Sequence, residues 1–236
     1  MQLIHPEVTR RCEEKELYES LLPLDGASVL ELGCGKAEHT RTIARAHPRA
    51  HILAAEVDRL QHAKNLSSEP LPNLRFADFG AQAIPLEDSS LDVVMMFKSL
   101  HHVPLSLQDQ ALREIHRVLA PRGLLYVSEP VFAGPYNEIV RVFNDEEVVR
   151  RAAFDALQRA VQNRLFELES ETFFLLPVYY RDFAEFEKKH FQVTYAERRV
   201  SEEQRAEVAR RFSQHLGPDG VKLGQQVRID LLRKSG

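Results

Sequence analysis

The stretch Val29-Leu30-Glu31-Leu32-Gly33-Cys34-Gly35-Lys36-Ala37 decides the fold. A short apolar run ends in an acid and a tight glycine turn, and a helix-like stretch over 40–46 follows. Strand, glycine loop and helix in that order bring backbone close to a nucleotide-like ligand. What lies downstream decides which ligand.

From 28 to 131 the chain alternates strands and helices. Residues 29–32 read as strand one and 51–55 as strand two, closed by Glu56. Residues 74–77 form strand three, closed by Asp78, and 91–97 form strand four. Residues 123–127 form strand five. Between the last two, Leu107, Ala111, Ile115 and Leu119 fall one helical turn apart. Repeated units of this length predict a parallel sheet with helices on both faces. Ligands of such sheets bind beyond the carboxyl ends of the strands. Glu31, Glu56, Asp78, Lys98 and Glu129 stand at or near those ends.

After Val131 the pattern changes. No clear strand shows over 135–189, and Asn144 can cap a helix with Val148, Val149, Ala152, Ala156, Ala160 and Val161 at helical spacing. Val193 and Tyr195 alternate as strand six. Ser201-Glu202-Glu203-Gln204 fits a capping box, with Gly217 at the end of its helix. Residues 226–232 alternate cleanly as strand seven. One domain over 1–236 is expected, with an N-terminal helical cap in residues 1–25 (helix over 10–22) and a mainly helical insert over 132–189.

Composition excludes several classes. The chain has 236 residues, 44% hydrophobic, enough for a sizeable core. Its formal charge is −4, with no basic footprint for nucleic acid. No run is long and apolar enough for a membrane span. The N-terminus lacks the shape of a secretion signal, and two cysteines cannot build a disulfide framework, so a cytoplasmic protein is expected.

The chemistry of the loop narrows the ligand. A dinucleotide-binding loop would carry Gly-x-Gly-x-x-Gly, but Glu38 stands where the third glycine falls. An acid at that helix entry also repels a pyrophosphate. Gly35-Lys36-Ala37 lacks the hydroxyl of a phosphate-binding loop. A nucleoside without phosphates fits better. Glu56 can accept both ribose hydroxyls, with Asp58 as the fallback, and Asp78 can accept from an adenine amino group with Phe79 beside the ring.

These motifs, in this order, resemble the class I (Rossmann-like) S-adenosylmethionine-dependent methyltransferases, in their type 11-like form. Glu31-Leu32-Gly33-Cys34-Gly35 is similar to the first motif, and Ala55-Glu56-Val57-Asp58 to the ribose acid. Ala77-Asp78-Phe79 and the run over 84–94 are similar to the adenine site and fourth strand. Ser99-Leu100-His101-His102-Val103 and the run over 114–125 follow in family order. The resemblance covers roughly residues 28–131. It implies a seven-stranded, mostly parallel sheet with an antiparallel last strand and a helical cap insert between strands five and six. It also implies S-adenosyl-L-methionine held by Glu31, Gly33, Cys34, Gly35, Glu56, Val57, Asp78, Phe79 and Lys98. Ala37 stands in place of the family's third glycine.

The acceptor side is less marked. Either His101 or His102 could act as general base, and no acid or cysteine at ligand spacing suggests a metal. Tyr136, Tyr179 and Arg181 of the insert could line a pocket for a small organic methyl acceptor. The same insert could equally be a homodimer surface. The expected function is therefore methyl transfer to a small molecule. A non-catalytic cofactor-binding or regulatory protein is the alternative, and an NAD-dependent oxidoreductase is disfavoured by the loop.

Overall fold

A computed structural model describes residues 1–191 and 200–236. Strands β1 (Ser28–Leu32), β2 (His51–Ala55), β3 (Leu74–Ala77), β4 (Leu91–Phe97) and β5 (Leu119–Pro130) run parallel. Next come β6 (Phe166–Tyr180), the two-residue β7 (Leu216–Gly217) and β8 (Gly220–Lys234). The sheet order is β3-β2-β1-β4-β5-β8-β6, with β7 on β8. β8 is antiparallel to both β5 and β6, so β6 points the same way as the first five strands. The expected mostly parallel sheet with an antiparallel last strand is present.

Eight helices accompany the sheet among the described residues: α1 (Glu14–Leu21), α2 (Glu38–Ala46), α3 (Arg59–Leu66), α4 (Gln108–Val118), α5 (Pro135–Val140), α6 (Glu147–Gln162), α7 (Phe183–His190) and α8 (Glu202–Ser213). The period of two along each strand divides the core. Val29, Val93, Met95, Leu124 and Tyr126 face Leu17 and Tyr18 of α1 and Ile43 of α2. Leu30, Leu32, Val94, Met96, Leu125 and Val127 face Leu112 and Ile115 of α4 and Leu157 of α6. Both faces are buried, which is why these strands read as unbroken apolar runs. The strand order reverses between β1 and β4, opening the crevice where such sheets bind ligands.

The segment after β5 differs from expectation. Helix α6 places Ala153, Ala156, Leu157 and Ala160 on the sheet face beside α4, so it is a core helix and not a cap. Its N-cap is Glu146, not Asn144, and Asp145 Oδ1 accepts the Glu147 amide at 3.1 Å. Residues 166–180, expected to lack a strand, form the edge strand β6. A bulge between Leu168 and Ser170 shifts the alternation, and Phe173-Phe174-Leu175-Leu176 is apolar on both sides. Together these hide the period of two. The strand expected at Val193 and Tyr195 lies outside the described residues.

At the N-terminus, α1 is shorter than the expected 10–22. The Leu175 amide donates to Arg10 O at 2.8 Å, so the chain before the helix runs extended along the edge of β6. The capping box at Ser201 and Gln204 forms as expected. Helix α8 ends at Ser213, however, and Gly217 belongs to β7.

Pairing of β6 with β8 continues past the last β5 pair, Pro130–Val227, to Tyr180–Val221. The ribbon thus projects about 20 Å beyond the carboxyl end of β5, at roughly 3.3 Å per residue. A separate core of Ile139, Val140, Tyr180, Phe186, Val208, Phe212 and Val221 ties α5, α7 and α8 to it. The expected helical cap is therefore a two-stranded arm with three helices.

A strand at 166–180 makes alternate residues unequal. Phe174 is fully buried and Tyr179 is half exposed. Phe174→Ala is expected to cost about 3–5 kcal/mol, and Tyr179→Ala no more than about 0.5 kcal/mol, in urea denaturation. Equal costs would contradict the strand.

Candidate functional site

The loop after β1 is fixed from three sides. The amides of Gly33 and Cys34 donate to Ala55 O at 2.9 and 3.0 Å. The Gly35 amide donates to Glu56 Oε2 at 2.7 Å, and the Asp58 amide donates to Oε1 of the same carboxylate at 2.8 Å. Asn65 of α3 donates from Nδ2 to Gly35 O at 2.8 Å. Gly33 has φ +71°, and a Cβ there would stand 2.7 Å from Ser99 Cβ, so only glycine fits. Ser99 in turn donates to Leu32 O at 2.7 Å, joining the end of β4 to that of β1. Gly35 has φ +52° with open space beside it, where a ligand can reach the backbone. Ala37 takes the left-handed conformation (φ 57°) that glycine would adopt without strain.

Glu56 is buried, yet each of its oxygens keeps a lone pair beyond the amide it accepts. It can hold the loop and accept ribose hydroxyls together. Asp58 is engaged elsewhere: its Oδ1 accepts the Leu60 and Gln61 amides and caps α3. Val57 and Asp78 are exposed at the carboxyl ends of β2 and β3, with Phe79 half-buried next to Asp78. Cys34 is buried, and burial pushes its thiol up, away from nucleophilic ionisation. Lys98 turns the chain out of β4 with φ 53°, its amide donating to Ser128 O at 2.7 Å.

Glu31 lies in the floor of the crevice, 3% exposed, and accepts a hydrogen bond from the Thr40 hydroxyl. Burial pushes its carboxyl up to about 8. The Thr40 bond opposes that rise, and the nearby Glu14 and Glu56 charges add to it.

A second constellation sits at the ends of β4 and β5. Glu129 Oε1 accepts the amides of Leu100 and His101 at 2.9 and 3.4 Å. Its Oε2 pairs with His101 Nδ1. That contact assigns the Nδ1 proton and leaves Nε2 as the basic nitrogen. Nε2 points toward Glu146 at 3.9 Å, and His102 lies with its ring 4.0 Å from that of His101. His101 is buried and His102 exposed. No acid stands near this pair in the sequence; the fold supplies Glu129 and Glu146 from 28 and 45 residues downstream. Spacing along the chain shows no acid at ligand distance from the pair; these two partners arrive only through the fold. Donor atoms of His101, His102 and Glu146 lie within 4.8 Å of one another, close enough for a divalent ion. Arg150, however, already donates to Glu146 at 2.7 Å.

Tyr136, Tyr179 and Arg181 belong to the projecting arm. The Tyr136 hydroxyl lies 3.4 Å from Tyr180 and 3.5 Å from His190, Tyr179 is half exposed, and Arg181 pairs with Asp182 at 2.8 Å. The structure groups Tyr136 with the arm's core and leaves the other two at its surface. The cavity at the carboxyl end of β5 is lined by others, among them Leu3, Ile4, Glu129, Phe132, Arg150 and Arg228. The sequence marks none of these as a set, because the N-terminus, β5, α6 and β8 meet only in the fold.

Residues 29–123 match the family model described as a methyltransferase domain. A ubiquinone/menaquinone biosynthesis C-methyltransferase, UbiE of Hahella chejuensis, is 37% identical over 120 residues, 49% of this chain and 47% of that protein. Methyltransferase GfsG of Streptomyces halstedii is 33% identical over 129 residues, 53% and 45% of the two. The chain thus spans about half the length of the curated relatives it matches. Among solved structures, the YcgJ protein of Bacillus subtilis superposes with TM-score 0.61 at 15% identity, covering 94% of this chain and 97% of that one. SpnF, described as a [4+2]-cyclase, superposes with TM-score 0.62 at 22% identity, covering 94% and 79%. Residues 29–123 therefore match a methyltransferase domain, and the relatives include proteins described as S-adenosylmethionine-dependent methyltransferases, whose cofactor is S-adenosyl-L-methionine.

The state of Glu31 gives a test with a defined sign. Its folded pKa is raised, so the free protein binds the extra proton and loses stability as pH climbs from the ordinary carboxylate value toward about 8. Glu31→Gln is expected to raise the thermal midpoint of the free protein near pH 8 by roughly 2–8 °C, with a smaller gain near pH 5. Cofactor affinity should fall at least about tenfold, from loss of a charge-assisted contact. A destabilised variant with normal affinity would contradict this reading of Glu31.

Proposed function

We propose that this chain transfers a methyl group from S-adenosyl-L-methionine to a small organic acceptor whose O–H proton is removed by His101. A hydroxylated aromatic or enol is the acceptor class that fits. The observation that carries the reading is the buried His101–Glu129 pair, with Glu129 also lining a small cavity of mixed apolar and charged walls. Glu129 has its oxygens taken up by two amides and the imidazole, so it orients His101 and balances the charge of an imidazolium. Leu3, Ile4, Val131 and Phe132 give the neighbouring cavity an apolar wall suited to a small ring. Arg150, Arg151 and Arg228 also line it, paired with Glu146, Glu147 and Asp230.

The glycine loop fits the cofactor's nucleoside: open backbone at Gly35, a carboxylate with spare lone pairs at Glu56, and no phosphate-binding hydroxyl. When bound, the cofactor supplies an activated methyl on a sulfonium leaving group. The residues then have two tasks, alignment and proton removal. His101 takes the acceptor proton at Nε2 while Nδ1 stays bonded to Glu129. Loss of that proton would leave the acceptor's electron pair free to take the methyl the cofactor supplies, with Gly35 and Glu56 holding the nucleoside. Removing a hydroxyl proton completes methylation at oxygen; at a ring carbon beside it, the proton on that carbon must leave as well to restore the ring. The quinone-pathway name of the UbiE relative supports an acceptor of this kind.

The experiment is a screen of phenols, hydroquinones and enols with methyl-labelled cofactor, repeated with His101→Gln. The variant is expected to lose about 10²–10⁴-fold in kcat, with cofactor affinity within about threefold of the wild type. A full-rate His101→Gln would remove the base. A chelator separates the other use of the His101, His102, Glu146 cluster: activity unchanged by chelation supports the base, and activity lost and restored by a divalent ion supports a metal.

A further inference from the structure

The N-terminal helix α1 buries an acid against His39, at the start of α2. Glu14 is 2% exposed, and neither of its carboxylate oxygens has a hydrogen-bond partner. The hydroxyls of Tyr18, one turn on, and of Tyr126 on β5 are buried without partners as well. Phe97 ties these groups together under α1: its ring lies 5.8 Å from Tyr18, 5.4 Å from Tyr126 and 4.3 Å from His39, and Thr40, next to His39, donates to Glu31. His39 Nε2 approaches Glu14 at 3.9 Å, beyond hydrogen-bond range. The His39 ring is stacked on Phe97 at 4.3 Å, and burial disfavours its protonation. A buried carboxylate without bonds costs several kcal/mol unless a cation joins it. Two that feel each other's charge, Glu14 and Glu31, call for that cation more strongly.

We infer that Glu14 is the second carboxylate of a subsite for the ammonium group of the cofactor's amino-acid end, so that cofactor binding locks α1 onto the sheet. The inference rests on the methyl-donor reading of the glycine loop. Glu31 reaches this space from β1, directly before the loop, and Glu14 reaches it from α1. An ammonium between them satisfies both acids at once. Helix α1 then does more than cover Leu17, Tyr18 and Leu22 against the sheet: it closes the amino-acid end of the crevice.

The test compares three ligands by calorimetry: S-adenosylhomocysteine, its des-amino analogue and 5′-methylthioadenosine. Wild-type protein is expected to bind S-adenosylhomocysteine at least tenfold more tightly than the des-amino analogue. In Glu14→Gln that ratio should shrink to threefold or less, while affinity for the des-amino analogue and for 5′-methylthioadenosine stays within about twofold. A tenfold ratio that survives in Glu14→Gln would overturn the inference while leaving the cofactor assignment intact. Failure of the wild type to bind any of the three ligands would overturn the methyl-donor reading itself. Hydrogen exchange of the wild type gives an answer even if the variant fails to fold. Amides of α1 should be protected by S-adenosylhomocysteine and not by the des-amino analogue; equal protection by both would refute the role of Glu14.

Discussion

The bond from the Gly35 amide to Glu56 is the contact on which the site depends. It fixes the loop after β1 to the end of β2, and the same carboxylate takes the Asp58 amide. One acid thereby sets the position of two chain reversals and remains able to accept from a ligand. The geometry works because β1 lies between β2 and β4. Ser99, leaving β4, presses against Gly33 so closely that no side chain fits there. Steric exclusion on one side and a charged acceptor on the other leave the backbone of Gly35 facing open space.

Buried acids in this fold fall into two physical kinds. Glu129 and Glu56 have partners with hydrogen to give: Glu129 holds two amides and an imidazole, and Glu56 takes the amides of Gly35 and Asp58. Such groups are positioned by the protein and hold others in position. Glu31 has one hydroxyl, and Glu14 has no hydrogen bond at all. A fold tolerates a few of these only at a cost to its stability, and they concentrate where a ligand completes them. The contrast separates the acid that orients His101 from the acids that await a cation.

Much of the fold was legible in the sequence because both faces of the sheet are covered. Continuous apolar runs such as 91–97, each ending in a polar or charged residue, mark the first four parallel strands nearly to the residue, while the fifth, expected over 123–127, runs from Leu119 to Pro130. The loop was legible because Gly33, Gly35 and Glu56 act through backbone geometry and fixed spacing. Residues 166–180 were not, since a bulge and an apolar quartet mask their period of two, and the edge is covered by Arg10 and Arg11 from the far end of the chain. The partners of His101 were hidden for a related reason: Glu129 and Glu146 meet it only through β5 and α6. Glu14 carries no local signal, because a glutamate in the first turn of a helix is ordinary. Only its burial sets it apart.

The most direct measurement is a crystal structure of the protein with S-adenosylhomocysteine. The account predicts both ribose hydroxyls within hydrogen-bond distance of Glu56, with the Gly35 amide bond retained. It places the ligand's sulfur on the side of the crevice that opens toward His101 Nε2. Nucleoside density elsewhere, or a Glu56 carboxylate turned away from the ribose, would contradict it.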